Sequence, residues 1–137
     1  MEILRRNTDY ALRAMVNLAK RWGTSAVSTK EISLEEQIPY QLTCKLMQKL
    51  QKAGLVQSLM GPKGGFSLNK DPKSITLLEM VVIIQGPPKL NRCLLGSDKC
   101  RCQKTCSIRS KIDELQNYIE NYLGKITLDE LANERQS

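Results

Sequence analysis

Ser28-Thr29-Lys30-Glu31-Ile32-Ser33-Leu34-Glu35-Glu36-Gln37-Ile38-Pro39-Tyr40-Gln41-Leu42-Thr43-Cys44-Lys45 carries the pattern that decides the fold. Ser28 with Glu31 is a capping box, in which the hydroxyl serves an orphan N–H of the first helical turn. A short helix is predicted through about Glu36. Gln37-Ile38-Pro39 reads as a turn, and Pro39 suits the first position of a second helix. That helix is predicted from about Pro39 to Ala53, stopped by Gly54. Leu42, Leu46, Met47, Leu50 and Ala53 share one face. Tyr40, Gln41, Cys44, Lys45, Gln48 and Lys52 share the other, with no acid among them. Two helices joined by a tight turn, the second polar, basic and acid-free outside, make a helix-turn-helix. An amphipathic helix is ordinarily a core helix only; the missing acids turn the reading towards DNA.

Beyond it, Leu55–Leu59 and Phe66–Leu68 read as strands joined by the turn Gly61-Pro62-Lys63-Gly64-Gly65. A hairpin directly after a helix-turn-helix is a wing. Its lysine supplies charge, and its glycines allow backbone N–H groups close to phosphate. Upstream, Asn7-Thr8-Asp9 offers N-cap chemistry to a helix striped by Ala11, Leu12, Met15, Val16, Leu18, Ala19 and Trp22 and ended by Gly23. Asp9 reads there as a helix-dipole carboxylate. Downstream, Thr76 and Glu79 form a second capping box, for a helix broken by Gly86-Pro87-Pro88. A long helix is predicted from about Ser107 to Gly124, with a heptad-like seam of Ile108, Ile112, Leu115, Ile119 and Tyr122 or Leu123. Thr127 and Glu130 form a third box. The expected architecture is mainly α with a small β-hairpin wing. It divides into a winged helix-turn-helix over residues 1–88, a cysteine loop over 89–106, and a dimerisation helix with a short last helix over 107–137.

The 137 residues include 21 Lys and Arg against 14 Asp and Glu, a formal charge of +7. That excess favours an anionic partner, most often nucleic acid, although a basic surface can also serve solubility alone. Aromatics make up only 4% of the chain, so aliphatic residues and Met must build the core. No apolar run approaches the ~20 residues of a membrane span. Nothing at the N-terminus reads as a secretory signal, which points to the cytoplasm. With no histidine, no paired carboxylates in a plausible site and no phosphate-binding glycine loop, the chain does not read as an enzyme.

Four of the five cysteines, Cys93, Cys100, Cys102 and Cys106, fall within fourteen residues. Disulfides need an oxidising compartment, so thiolate ligation is the stronger reading. Without histidine the donors are soft sulfur, which suits an iron–sulfur cluster or a closed four-thiolate zinc site. Arg92, Lys99, Arg101 and Lys104 surround the loop and would offset the charge of such a centre, or are simply solvated.

Asp9-Tyr10-Ala11-Leu12-Arg13, Ala53-Gly54-Leu55-Val56-Gln57-Ser58, Gly61-Pro62-Lys63-Gly64-Gly65-Phe66-Ser67-Leu68, Thr76-Leu77-Leu78-Glu79 with Gly86-Pro87, and three spaced cysteines together resemble the Rrf-type bacterial transcription regulators. The match spans nearly the whole chain. The resemblance implies a homodimeric winged-helix repressor or activator on a palindromic DNA operator, whose affinity follows a 2Fe–2S or 4Fe–4S cluster sensing iron, redox state or nitric oxide. Cys93, Cys100 and Cys106 match the ligating trio, the first gap being longer than the commonest one. Where some members place a ligating histidine, this chain has Arg109. Asp9 matches the aspartate that other members contribute from the partner subunit, and Cys102 is an alternative fourth ligand. The expected DNA-facing residues are Ser28, Thr29, Tyr40, Gln41, Cys44, Lys45, Gln48, Lys63, Gly64 and Gly65. Met60 stands where the family usually has a wing arginine. The rival reading is a zinc-stabilised or cluster-free winged-helix factor acting through a protein partner.

Overall fold

The structure, a computed structural model, describes residues 3–90 and 106–134. Its elements run α1 (Arg6–Ala19), α2 (Thr29–Glu36), α3 (Tyr40–Lys52), β1 (Val56–Leu59), β2 (Gly65–Leu68), a 3-10 turn (Pro72–Ser74), α4 (Leu77–Gln85), α5 (Arg109–Lys125) and α6 (Leu128–Asn133). This is the mainly helical winged fold expected. The two strands pair antiparallel, Val56 opposite Leu68 and Leu59 opposite Gly65.

Three helices start as the capping boxes require. Glu31 N donates to Ser28 Oγ at 3.1 Å, Glu79 N to Thr76 Oγ1 at 3.1 Å, and Glu130 N to Thr127 Oγ1 at 3.2 Å. α1 starts differently. Its N-cap is Arg5, without a side-chain cap, in place of the expected Asn7-Thr8-Asp9. Thr8 is buried, and its hydroxyl donates to Gln85 Oε1 at 2.6 Å. The same oxygen accepts from Arg5 N at 3.0 Å, while Gln85 Nε2 donates to Ile3 O at 2.9 Å. A residue at the end of α4 thus takes up the N–H of the N-cap residue and ties the start of α1 to α4. α1 also ends at Ala19, leaving Trp22 in the following turn and 45% exposed.

One core gathers Met15, Ile32, Met47, Leu50, Leu55, Leu68, Ile75, Met80 and Leu128, all fully buried. Each such side chain contributes roughly 1.5–3 kcal/mol on burial. α6 supplies Leu128 to this core, so the C-terminal segment and the winged head share one interior. On α3 the buried set is Thr43, Leu46, Met47 and Leu50; Leu42 is only half-buried and Ala53 is exposed. Thr43 can enter because its hydroxyl donates to Pro39 O at 3.0 Å, one turn back.

α5 runs past Gly124, the expected stop, to Lys125. A Cβ at Gly124 would stand 3.6 Å from Leu78 Cδ2, so the glycine lies where α5 comes close to α4. The predicted single seam divides into two stripes. Ile112, Gln116, Ile119 and Leu123 are buried or half-buried. Ile108, Leu115, Tyr118 and Tyr122 are 52–67% exposed. Their spacing of seven, three and four residues is a coiled-coil stripe without a covering partner among the described residues.

Candidate nucleic-acid interface

The turn between α2 and α3 is held from both sides. Gln37 takes the left-handed conformation at φ 56°, the one positive-φ residue other than glycine among those described. Ser33 O accepts from Ile38 N at 3.0 Å, and Ser33 Oγ donates to Ile38 O at 2.6 Å. These bonds close the helix end and set the direction in which α3 departs.

α3 then presents Tyr40, Gln41, Lys45 and Gln48 to solvent, with Cys44 half-buried among them. The Tyr40 phenol hydrogen-bonds the Cys44 side chain one turn on, which raises the phenol pKa above its ordinary value. From Gln37 to Lys70 there is no acid and there are five lysines: Lys45, Lys49, Lys52, Lys63 and Lys70. Lys45, Lys52 and Lys63 make no hydrogen bond or ion pair with any other described residue. Lys49 and Lys70 are engaged, with Ile84 O at 2.9 Å and Glu79 at 3.8 Å. Three uncommitted ammonium groups beside an uncharged polar helix face can neutralise phosphates and still leave side chains free to read base edges.

The wing is fastened to the helix pair by its base. Val27 N donates to Phe66 O at 2.9 Å and Phe66 N to Val27 O at 2.8 Å, immediately before the α2 cap at Ser28. Ser28 and Thr29 are half-buried there, the Ser28 hydroxyl engaged with Glu31 N. The wing glycines have an internal reason. A Cβ on Gly64 would lie 2.2 Å from Leu59 O, and one on Gly65 would lie 2.4 Å from Val27 O. Gly64 N donates to Gly61 O at 2.9 Å, so that amide is committed within the turn. Lys63 at the tip is exposed.

Of the cysteine set, Cys93, Cys100 and Cys102 lie outside the described residues. Cys106 is free and half-buried, two residues before the N-cap of α5. Asp9 is 60% exposed in the first turn of α1 and pairs with Arg13 at 3.1 Å. The leading end of the cysteine segment is anchored. Gln116 Oε1 accepts from Leu90 N at 3.0 Å, and Gln116 Nε2 donates to Pro88 O.

Two polar features carried no sequence signal beyond their residue types. Gln116 sits at a helical position that periodicity marks as inward, where only the fold supplies its partners. Asn17 is buried in α1, donating to Glu35 at 2.9 Å and Glu36 at 2.8 Å and accepting from Arg21 at 3.2 Å. The Arg21 guanidinium and the Asn17 amide together hold the Glu35 carboxyl below the usual glutamate range.

No helix among the described residues is long and apolar enough to cross a membrane. The profile of the Rrf2 family, described as iron-dependent transcriptional regulator, matches residues 4–134. A relative from Aquifex aeolicus is 34% identical over 90% of this chain and 87% of its own length. The transcriptional regulator IscR of Klebsiella pneumoniae is 32% identical over 93% of this chain and 77% of its own. Among solved structures, CymR, the global cysteine regulator of B. subtilis, superposes with a TM-score of 0.84 at 24% identity, over 99% of this chain and all of that one. That likeness concerns the fold.

Proposed function

The chain belongs to the Rrf2 family of transcriptional regulators, and from that premise we propose a homodimeric DNA-binding repressor whose operator affinity follows an iron–sulfur cluster. The observation that carries the DNA side is the acid-free α3 face with its uncommitted lysines, set beside a wing that is hydrogen-bonded to the start of α2. Tyr40, Gln41, Cys44 and Gln48 face base edges in the major groove. Lys45, Lys63, the hydroxyls of Ser28 and Thr29, and the wing turn at Gly64 and Gly65 face phosphate, the Gly64 amide itself staying on Gly61 O.

The donor set suits an iron–sulfur cluster: four thiols within fourteen residues, no histidine in the chain, and a half-buried free thiol at Cys106 just ahead of a long helix. Cys93, Cys100 and Cys106 would hold the cluster, as either 2Fe–2S or 4Fe–4S. Asp9 of the second copy, or Cys102, would complete it. When bound, the cluster would supply a centre open to attack by oxidants or nitric oxide and left unassembled when iron is scarce. The exposed stripe of Ile108, Leu115, Tyr118 and Tyr122 supports a dimer through α5, giving two DNA heads on a palindromic operator. Residues 1–88 then act as the DNA head, 89–106 as the ligating loop and 107–137 as the dimerisation helix with a short last helix that packs into the head.

The test is anaerobic purification followed by visible absorption with iron, sulfide and zinc analysis, and operator binding with and without the cluster. Iron and sulfide in matched amounts, with operator affinity that changes on cluster removal, supports the reading. A colourless protein with about one zinc per chain, or equal operator affinity with and without the cluster, removes the sensing role.

A further inference from the structure

Lys49 is a basic residue on α3 that the fold has already engaged. Its ammonium donates to Ile84 O at 2.9 Å, thirty-five residues away. Ile84 lies in the last turn of α4, where carbonyls have no partner within the helix. α4 has no basic residue of its own in that turn. A cation there offsets both the orphan carbonyl and the negative end of the helix dipole. Lys49 therefore caps α4 from another helix.

The α4 end is also where two other parts of the chain meet. Gln85 binds Ile3, Arg5 and Thr8, and so holds the start of α1. Gly86 follows at φ 87°, with its N–H on Val82 O at 3.0 Å. Gln116 then fixes Pro88 and Leu90 against α5. Among the described residues, Lys49 is the polar link between this junction and the helix that carries the reading face.

We propose that Lys49 is a positioning residue and not a phosphate contact: it ties the recognition helix to the C-terminal end of α4, from which the connector at residues 86–90 departs, so that the placement of this junction sets the pose of α3 on DNA. The proposal rests on the reading of α3 as the recognition helix. It also says that the basic count of α3 overstates its counterion release, because the ammonium of one of its three lysines, though the residue is exposed, is engaged by a carbonyl of the same chain.

The experiment uses the full chain with Lys49→Met, Lys49→Arg and Lys45→Met variants. One duplex is selected by the wild-type protein from a random pool, and the second is a scrambled duplex of the same composition. Binding is followed by fluorescence anisotropy across a salt series, and amide hydrogen exchange is read at Gly86, Lys89 and Leu90. A positioning role predicts that Lys49→Met loses about tenfold on the selected duplex with an unchanged salt slope. It also predicts faster exchange at Gly86 and Leu90, and recovery of both in Lys49→Arg. Lys45→Met serves as the phosphate comparator, its salt slope falling by about one. Lys49→Met overturns the proposal if its slope falls by about one on both duplexes, or if its affinity and exchange match wild type. A wild-type protein that does not distinguish the two duplexes would fail the recognition-helix reading instead, and the exchange measurement would still decide the tether.

Discussion

Thr76 and Thr127 face each other across an isolated antiparallel bridge while each caps its own helix. The flanking backbone closes the pairing: Leu77 N donates to Ile126 O and Leu128 N to Ile75 O, both at 2.8 Å. Two helix N-termini far apart in sequence are thereby joined, and Leu128 is delivered to the core at 0% exposure. Thr76→Ala and Thr127→Ala are each expected to cost about 1 kcal/mol in urea unfolding. Because the two caps share one bridge, the double variant should deviate from additivity. Strict additivity would mean that the bridge does not couple them.

Gln37 holds a left-handed conformation at φ 56° that glycine adopts without strain. Gln37→Gly should raise the urea midpoint by an amount equivalent to roughly 0.5–1 kcal/mol. A midpoint that falls would show that the Gln37 side chain stabilises the turn by more than its backbone costs.

Glu35 is held in its charged form by Arg21 at 2.8 Å and by Asn17. A carboxyl with a folded-state pKa below its unfolded one stabilises above the unfolded value and loses that contribution as pH falls through the folded one. Wild type should therefore exceed Glu35→Gln in stability near neutral pH, by less than about 1 kcal/mol because the pair is partly solvated. The difference should vanish as pH falls through and below the usual glutamate range. Thermal melts of both proteins across pH check this, and a pH-independent difference would contradict it.

Gly65 at φ 146° approaches Val27 O closely, whereas a Cβ at Gly61 would meet nothing within 4 Å. Gly65→Ala should destabilise by about 1–3 kcal/mol through overpacking and weaken DNA binding by displacing the wing from α2. Gly61→Ala, with backbone strain alone, should cost less. Denaturation of the two variants gives the order, and an inverted order would contradict the Val27 contact.

Leu115 lies at the centre of the exposed stripe on α5, between Ile108 and Tyr122. Leu115→Glu is expected to shift sedimentation from dimer to monomer, because burying an unpaired carboxylate in an apolar seam is strongly unfavourable. Operator affinity should fall with it, while the far-UV circular dichroism spectrum stays the same. A dimer that persists would place the interface elsewhere.

Much of the helix pair, the wing and the exposed face of α3 is legible in the sequence. Ser28 with Glu31, the turn at Gln37-Ile38-Pro39 and the glycine-rich hairpin are local signals, each set by residues within a few positions of one another. Tyr40, Gln41, Lys45 and Gln48 followed from helical periodicity alone. The α1 cap was misread because Thr8 looks like a local cap, whereas its hydroxyl goes to Gln85, seventy-seven residues away. Thr43 carries no apolar signal in the sequence, yet it is buried because a bond one turn back satisfies its hydroxyl.

What the sequence determined by itself is the set of helices, the capped starts of α2, α4 and α6, the wing and the sign of the surface charge, because capping, turn geometry and amphipathic spacing are short-range. What only the tertiary structure decided is which of two stripes on α5 faces inward, where Gln85 and Gln116 find their partners, and that Lys49 is held while Lys45 is not. The physical reason is common to all three. Periodicity marks the side of a helix that is apolar or basic, but the carbonyl or side chain that meets it is supplied by packing between segments distant in the chain.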